Sequence, residues 1–241
     1  MNVTIGDATL PRSTRVPLMA AMPAPDRIDD ASGCGASRRL TAATLQAGAR
    51  QLASRDRDLA RIVERHGYPP MWGRPPGFAT LVWIILEQQV SIASAKTLFR
   101  RLRVALGGQV TPAAVTHAGI AGLREFGLTR QKARYCNELA QRLLDGVLDL
   151  RVVSRSPEPT ARAMLLEVPG IGHWSVDIYF LMALRRPDVW PRGDLALAIA
   201  MRDVKRLADV PSRDRQIEMA EGWSPWRSVA ARILWMHYLA R

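Results

Sequence analysis

Asp194 is the acidic residue of this chain whose surroundings best suit it to chemistry. It follows the loop sequence Trp190-Pro191-Arg192-Gly193 and precedes an apolar run that predicts a helix, so we expect it at an N-cap or first-turn position. The positive end of a helix favours the charged form of a carboxylate. Asp194 therefore suits the stabilisation of a cation or the orientation of water, although a plain helix cap explains the same position.

Residues 160–184 predict two helices joined by a tight turn. An apolar stripe at helical spacing marks the first helix, and Pro169-Gly170 ends it. The second helix is expected from Trp174 to about Leu184. Two glycines give the turn backbone freedom, and free N–H groups at the start of the second helix form a site that would hold an anion.

The turn resembles the hairpin of the helix-hairpin-helix DNA-binding motif, which it matches over Leu166-x-Val168-Pro169-Gly170-Ile171-Gly172-x-x-Ser175-Val176. In that family the backbone amides of the hairpin bind a DNA phosphate, often with a monovalent cation at its carbonyl groups. The resemblance implies phosphate binding, with such a cation at the carbonyls, by the turn residues Pro169, Gly170, Ile171, Gly172 and His173. On these residues alone, an ordinary connection between two helices is the alternative.

A second resemblance joins the turn to Asp194, which lies 22 residues beyond Gly172. The order of hairpin, Gly/Pro loop and Asp resembles the helix-hairpin-helix (HhH-GPD) DNA glycosylases over about residues 45–241. In that superfamily the Asp supports the oxocarbenium-like sugar as the base leaves. The resemblance implies that Asp194 is the catalytic residue. It also implies an all-α, two-lobed fold with a cleft between the lobes for the extruded base.

Two consecutive glutamines, Gln88 and Gln89, stand in a predicted corner between helices. They follow the nearly all-apolar stretch 78–87, which we interpret as a buried helix although its Val-Trp-Ile-Ile sequence would suit a strand. The stretch 85–91 resembles the glycosylase loop that fills the gap left by an extruded base. The resemblance implies that Gln89 is the DNA wedge, with Gln88 beside it, and a solvated turn is the alternative.

Trp174 occupies the hairpin position at which strand-cutting members of the superfamily carry a lysine nucleophile. The resemblance therefore implies a monofunctional enzyme in which water attacks C1′. The stretch Trp223-x-Pro225-Trp226-Arg227-Ser228 resembles one in the 3-methyladenine DNA glycosylase II type. By that register Trp174 and Trp235 line the base pocket, where electron-rich rings suit a cationic alkylated purine. Ile178 replaces a pocket tyrosine of that type, and the adjacent Tyr179 is our third pocket candidate.

These resemblances imply a base-excision-repair glycosylase that hydrolyses the N-glycosidic bond of alkylated purines, of the 3-methyladenine and 7-methylguanine kind. One alternative is a non-catalytic helix-hairpin-helix DNA-binding protein, which leaves the placement of Asp194 unexplained. The other is a bifunctional glycosylase/AP lyase, which conflicts with Trp174. The departure at Ile178 leaves the lesion spectrum open among alkylpurines, hypoxanthine and etheno-adducts.

The composition favours a polyanionic partner. The 241 residues include 34 Lys and Arg against 22 Asp and Glu, a formal net charge of +12, without a long basic amphipathic stripe or an apolar membrane span. We therefore expect the partner to be double-stranded DNA with a damaged purine and not a membrane. Arg130 and Lys132 are candidates for contacts to its backbone. We expect a cytoplasmic, nucleoid-associated monomer.

Cysteine and histidine usage argues against a metal cofactor. Cys34 and Cys136 cannot form a four-cysteine zinc or iron–sulfur site, and the four scattered His residues lack metal-ligand spacing. Two cysteines also fit a reducing cytosol. We expect no cofactor.

Three segments should position these residues. Residues 1–40 lack a sustained period and are rich in Pro, Ala, Ser, Gly and Asp, which predicts a flexible extension. Residues 75–185 should form a central helical lobe that includes the helix-hairpin-helix at about 160–184. Residues 41–74 plus 186–241 should form the second lobe. Within this frame, helix starts are predicted at Ser91, Thr111 and Thr129, and a separate short helix at 121–128.

Overall fold

The computed structural model of the protein describes residues 39–241, and every regular element in that range is a helix. The expected all-α class is confirmed. The helices are α1 (Ala42–Arg55), α2 (Arg57–His66), α3 (Phe78–Glu87), α4 (Ile92–Ala105), α5 (Pro112–Glu125), α6 (Arg130–Leu144), α7 (Leu150–Arg155), α8 (Glu158–Leu166), α9 (His173–Ile178), α10 (Leu195–Lys205), α11 (Arg213–Glu221) and α12 (Arg227–Leu239). The prediction for residues 1–40 falls almost wholly outside the described residues.

Three predicted N-caps are confirmed. The hydroxyl groups of Ser91, Thr111 and Thr129 each accept a hydrogen bond of 3.2 Å from the backbone N–H three residues further on. Each bond satisfies one of the free N–H groups at the start of its helix, namely α4, α5 and α6. These starts follow from the cap residue alone, which is why the sequence predicts them well.

The apolar stretch 78–87 is the helix α3, as expected, and not a strand. Seven of its ten residues are buried. The other three, Ala79, Trp83 and Glu87, are half-buried and share one face, so most of the helix is packed and its sequence lacks the usual amphipathic pattern. The β-branched residues that would suit a strand are accommodated here because neighbouring helices surround them.

One helical segment agrees with the prediction and another does not. The two helices expected after Thr111 and at 121–128 are the two halves of α5, which are separated by a non-helical residue, Gly119, where φ is 62°. The six-residue helix α7 was not expected at all. It is too short to display a hydrophobic period, and Val153 is its buried residue.

The described residues form two hydrophobic cores. The first packs α3 against α4–α9, and the second packs α1 and α2 against α10–α12. The π-helical turn Tyr179–Ala183, which continues α9, contributes to both, because Phe180 packs in the first core and Leu181 in the second. The predicted division into lobes at 75–185 and 41–74 plus 186–241 stays a prediction.

None of the helices within residues 39–241 has the length and apolar character needed to span a bilayer. The second core packs α10 against α12, and the π-helical turn that continues α9 contributes Leu181 to it, so these three helices are held relative to one another. Trp174 lies in α9, Asp194 directly before α10, and Trp235 in α12.

Candidate active site

Asp194 is the N-cap of α10, as expected. Its Oδ1 atom accepts a hydrogen bond of 2.9 Å from the backbone N–H of Leu197. The side chain is half-buried and lies on the wall of a large cavity. The cap thus holds the carboxylate in one orientation while one side stays accessible.

Two indole rings complete the environment of this carboxylate. Trp174 donates its Nε1–H to Oδ2 of Asp194 at 3.0 Å, and Trp235 donates its Nε1–H to Oδ1 at 3.2 Å. With the cap, three N–H donors converge on one carboxylate, which stabilises its negative charge. A carboxylate has about four lone-pair positions, so one on Oδ2 remains for a water molecule or a ligand.

The cavity beside Asp194 has a volume of about 1830 Å³. Both indole rings line it, together with Ile178 from α9 and residues of α3, α4 and α12. Such a volume exceeds the 300–1,000 Å³ usual for small-molecule sites, so a bulky extruded group would fit. Sequence reasoning named Asp194, Trp174 and Trp235, and the structure brings all three together.

The structure does not bring Tyr179 to this cavity. Its side chain is fully buried, and its hydroxyl oxygen accepts a hydrogen bond of 3.1 Å from the backbone N–H of Gly77. Burial also raises the pKa of this hydroxyl. Ile178 lines the cavity instead, so the wall has an aliphatic side chain where the resemblance implies a pocket tyrosine.

Sequence reasoning missed an aromatic wall of the cavity. On the α3 side of the cavity, the rings of Trp83 and Phe99 stack with their centroids 4.5 Å apart. The guanidinium carbon of Arg74 lies 4.5 Å from the centroid of the Trp83 ring. Arg74 also forms a two-point ion pair with Glu87. All four residues line the cavity. Trp83 lies within the apolar helix α3, where the sequence predicts only that a tryptophan packs in the core.

A second missed residue is Asp177. It is 1% exposed and accepts hydrogen bonds from two arginines, at 2.6 Å from Arg162 and 3.1 Å from the Nε of Arg192. It also accepts one of 3.2 Å from the Arg192 backbone N–H. Because Arg192 is two residues before Asp194, this buried anion anchors the loop that presents the carboxylate. The signal in the sequence that could have identified Asp177 is an acidic residue within the otherwise apolar run 176–181.

The hairpin has the conformation that its glycines allow. Gly170 has a φ of 86°, and a Cβ there would lie 2.2 Å from the ring of Tyr135, so no other residue fits. Ile171 packs in the first core, whereas Gly172 and His173 are exposed at the start of α9. Partial desolvation, and then the nearby cations, lower the pKa of His173, which favours its neutral form.

The two glutamines of the corner have different surroundings. Gln89 is exposed and has a φ of 58°, whereas the side chain of Gln88 turns inward onto the hairpin. The wedge role of Gln89 stays a prediction, whereas the side chain of Gln88 is bound to the hairpin and is not free to enter DNA. Lys132 donates its Nζ hydrogens to carbonyls of this corner, so the amine is not directed outward as a backbone contact would require.

No group of three or more metal-ligating side chains occurs within residues 39–241. Cys136 is a buried free thiol whose pKa is raised to about 12 by burial, and Cys34 lies outside the described residues. The monovalent cation at the hairpin carbonyls stays a prediction.

Comparison with known proteins places this arrangement in context. The family model for HhH-GPD superfamily base excision DNA repair proteins matches residues 82–227. DNA-3-methyladenine glycosylase 1 of Schizosaccharomyces pombe is 26% identical over 191 residues, which cover 76% of this chain and 83% of that protein. DNA-3-methyladenine glycosylase 2 of Escherichia coli is 28% identical over 163 residues, 63% of this chain and 54% of that protein. The chain spans about half to two thirds of the length of several curated relatives.

Solved structures agree on the fold. A 3-methyladenine DNA glycosylase from Schizosaccharomyces pombe, in complex with abasic DNA, superposes with a TM-score of 0.73 at 24% identity. The match covers 78% of this chain and 95% of that one. A DNA-3-methyladenine glycosidase from Bacillus halodurans gives a TM-score of 0.67 at 25% identity, over 79% of this chain and 88% of that one.

Proposed function

We propose, from the premise that this chain belongs to the HhH-GPD superfamily of base excision DNA repair proteins, that it releases alkylated purines from DNA. The relatives whose names specify 3-methyladenine glycosylases support this substrate class. The observation that carries the proposal is the carboxylate of Asp194, held by three N–H donors on the wall of a cavity lined by aromatic rings.

The proposed reaction is hydrolysis of the bond between C1′ of the sugar and the purine nitrogen. The bonding electrons leave with the base, and positive charge develops on C1′ and the ring oxygen. Asp194 stabilises this charge, and the free lone pair on Oδ2 can orient the attacking water. A purine alkylated at N3 or N7 is already cationic, so it leaves as a neutral base and requires no strong acid.

The cavity offers a reason for selectivity. The rings of Trp174 and Trp235 line it, and the electron-rich face of an indole attracts a cation. A neutral, undamaged purine gains less from such faces and keeps a stronger bond to its sugar. The pocket therefore favours the substrate whose departure is also easiest.

We propose double-stranded DNA with an extruded purine as the partner of a cytoplasmic monomer. Its phosphate would bind at the hairpin amides near Gly172 and His173, and Gln89 would fill the gap left by the base. These assignments are supported by the exposure of the three residues and by the excess of cationic side chains.

The variant Asp194→Asn tests the reaction. Asn is also a good N-cap, so α10 should keep its start, but the negative charge that supports the sugar is removed. We expect release of 3-methyladenine from methylated DNA to be abolished while binding of undamaged duplex is retained. Free bases measured by chromatography under single-turnover conditions give the rate, and undiminished release would refute the role of Asp194.

The monofunctional course has its own test. Borohydride reduces a Schiff base between a lysine and the sugar, and we expect no covalent protein–DNA adduct after reduction. Lys96 is a lysine of α4 that lines the cavity. A covalent adduct that forms with the wild-type protein and disappears with Lys96→Ala would show instead that the protein is a bifunctional glycosylase/AP lyase.

A further inference from the structure

One side chain joins the corner that carries Gln89 to the hairpin. The amide nitrogen of Gln88 donates hydrogen bonds to the carbonyl of Gly170 at 2.8 Å and to the hydroxyl of Ser175 at 3.0 Å. Ser175 is buried in the first turn of α9. Gln88 therefore contacts the turn of the hairpin and the helix that follows it at the same time.

The main chain of the corner is fixed from a second direction. Lys132, near the start of α6, donates to the carbonyls of Leu86 at 2.7 Å and of Gln88 at 2.9 Å. These carbonyls lie at the C-terminal end of α3, where backbone oxygens lack partners within the helix. The ammonium group supplies those partners, so both the backbone and the side chain of Gln88 are held.

Gln89 follows directly and has a left-handed backbone, with a φ of 58°. Residues other than glycine keep this conformation only where their neighbours determine it. Here Gln88 precedes Gln89 and is anchored on the hairpin, and Ser91 follows as the N-cap of α4. The exposed side chain of Gln89 thus leaves the surface in a direction set by these contacts.

We propose that Gln88 is a positioning residue that sets the distance between the Gln89 wedge and the phosphate-binding hairpin. This inference rests on the proposed function. A wedge must enter the duplex at one nucleotide position relative to the phosphate that the hairpin holds. The hydrogen bonds of Gln88 to the hairpin form this clamp before DNA binds. They fix the distance in advance, so the corner does not have to lose conformational freedom when the base is extruded.

The variant Gln88→Met tests the clamp, because Met has similar length and no hydrogen-bond donor. The probe is a duplex with a tetrahydrofuran abasic analogue opposite 2-aminopurine, whose fluorescence reports insertion of a side chain into the gap. We expect the fluorescence change at saturating protein to fall to less than half of the wild-type value. Release of 7-methylguanine should slow about tenfold, as the loss of two hydrogen bonds predicts.

Three controls separate positioning from general damage. Gln141→Met removes a hydrogen bond from an exposed glutamine of α6 to Asp145 and should leave both readouts unchanged. Gln89→Ala removes the wedge and should reproduce the loss of fluorescence change. In the double variant Gln88→Met/Gln89→Ala, the losses in the rate of 7-methylguanine release should not add, because Gln88 acts through Gln89. Unchanged binding of undamaged duplex and a Tm close to that of the wild type complete the expected pattern.

Two results would overturn the positioning role. One is a full fluorescence change with Gln88→Met, and the other is full additivity in the double variant. The abasic duplex requires no excision, so this test stands apart from the test of the reaction. If the wild-type protein releases no base from methylated DNA, the proposed function fails, while the fluorescence change still decides the role of Gln88.

Discussion

Trp174 and Trp235 each have two roles, because their rings line the cavity and their N–H groups hold Asp194. In the proposed reaction the ring face would contact the base, whereas the N–H would hold the charge that supports the sugar. A substitution that keeps an aromatic ring and removes the donor separates the two roles. Trp174 is the better residue for this purpose, because its N–H binds Oδ2 of Asp194, whereas Trp235 shares Oδ1 with the backbone N–H of Leu197.

For Trp174→Phe we expect release of 3-methyladenine to slow about tenfold, since a hydrogen bond to a charged group is lost while the aromatic face remains. The single-turnover rate measures this loss. Trp226→Phe is the matched control, because Trp226 donates its N–H to Gln51 and does not line the cavity. It should retain the wild-type rate.

The opposite pattern would assign Trp174 to base recognition alone. In that case Trp174→Phe would keep the maximal rate at saturating protein and would only weaken binding of the methylated duplex. The N–H of Trp174 would then be a structural contact without consequence for the reaction.

Much of the site follows from the family resemblance and its register, and the remainder depends on side-chain direction. Asp194, Trp174 and Trp235 were expected to meet, and they do. Ile178 and Tyr179 were harder to separate, because neighbouring residues of a helix point about 100° apart. One of them faces the cavity and the other the core, and no local signal in the sequence states which.

At the scale of elements, the loop before α10 matters as much as the helix itself. Asp177 on α9 fixes this loop through the side chain and backbone of Arg192, and Arg162 on α8 holds the other carboxylate oxygen. Three elements therefore meet at one buried anion. The cap orients the carboxylate of Asp194, and this ion-pair network sets where α10 begins relative to the hairpin.

For Asp177→Asn we expect release of 3-methyladenine to fall at least about tenfold, because the loop loses its charged anchor and Asp194 shifts by a fraction of an ångström to an ångström. The affinity for undamaged duplex should change little. Breaking a buried ion pair also lowers stability, so the rates are compared at a temperature at which the variant is folded.

Asp56→Asn is the control for lost stability. Asp56 caps α2 and is bound by Lys205 and Trp223, whose contacts, against the opposing effect of burial, lower the pKa of its carboxyl. It does not line the cavity. If this variant loses as much activity as Asp177→Asn at equal stability, the proposed link between Asp177 and Asp194 is refuted.

The elements themselves were predictable to different degrees. The starts of α4, α5 and α6 follow from cap residues that act within one turn. The helix α3 was recognised from its length and apolar content. The break at Gly119 separates the two helices expected there, whereas the short helix α7 spans too few residues to display a hydrophobic period.

The positive charge of the protein should determine how it encounters DNA before any base is extruded. Arg130 and Arg134 are exposed on α6 beside Tyr135, whose ring packs on Gly170 of the hairpin. None of the ion pairs formed within residues 39–241 includes either arginine. We therefore expect this surface to extend the proposed phosphate contacts of the hairpin along α6.

Arg134→Ala should weaken binding of damaged and undamaged duplex by the same factor, because a phosphate contact carries no information about the base. With one phosphate contact fewer, binding releases one counterion fewer. The slope of the logarithm of the association constant against the logarithm of salt concentration should therefore become shallower by about 0.9. Arg215, which pairs with Glu218 at 2.7 Å, provides the control, and Arg215→Ala should leave the slope unchanged. An unchanged slope for Arg134→Ala would confine the phosphate contacts to the hairpin itself.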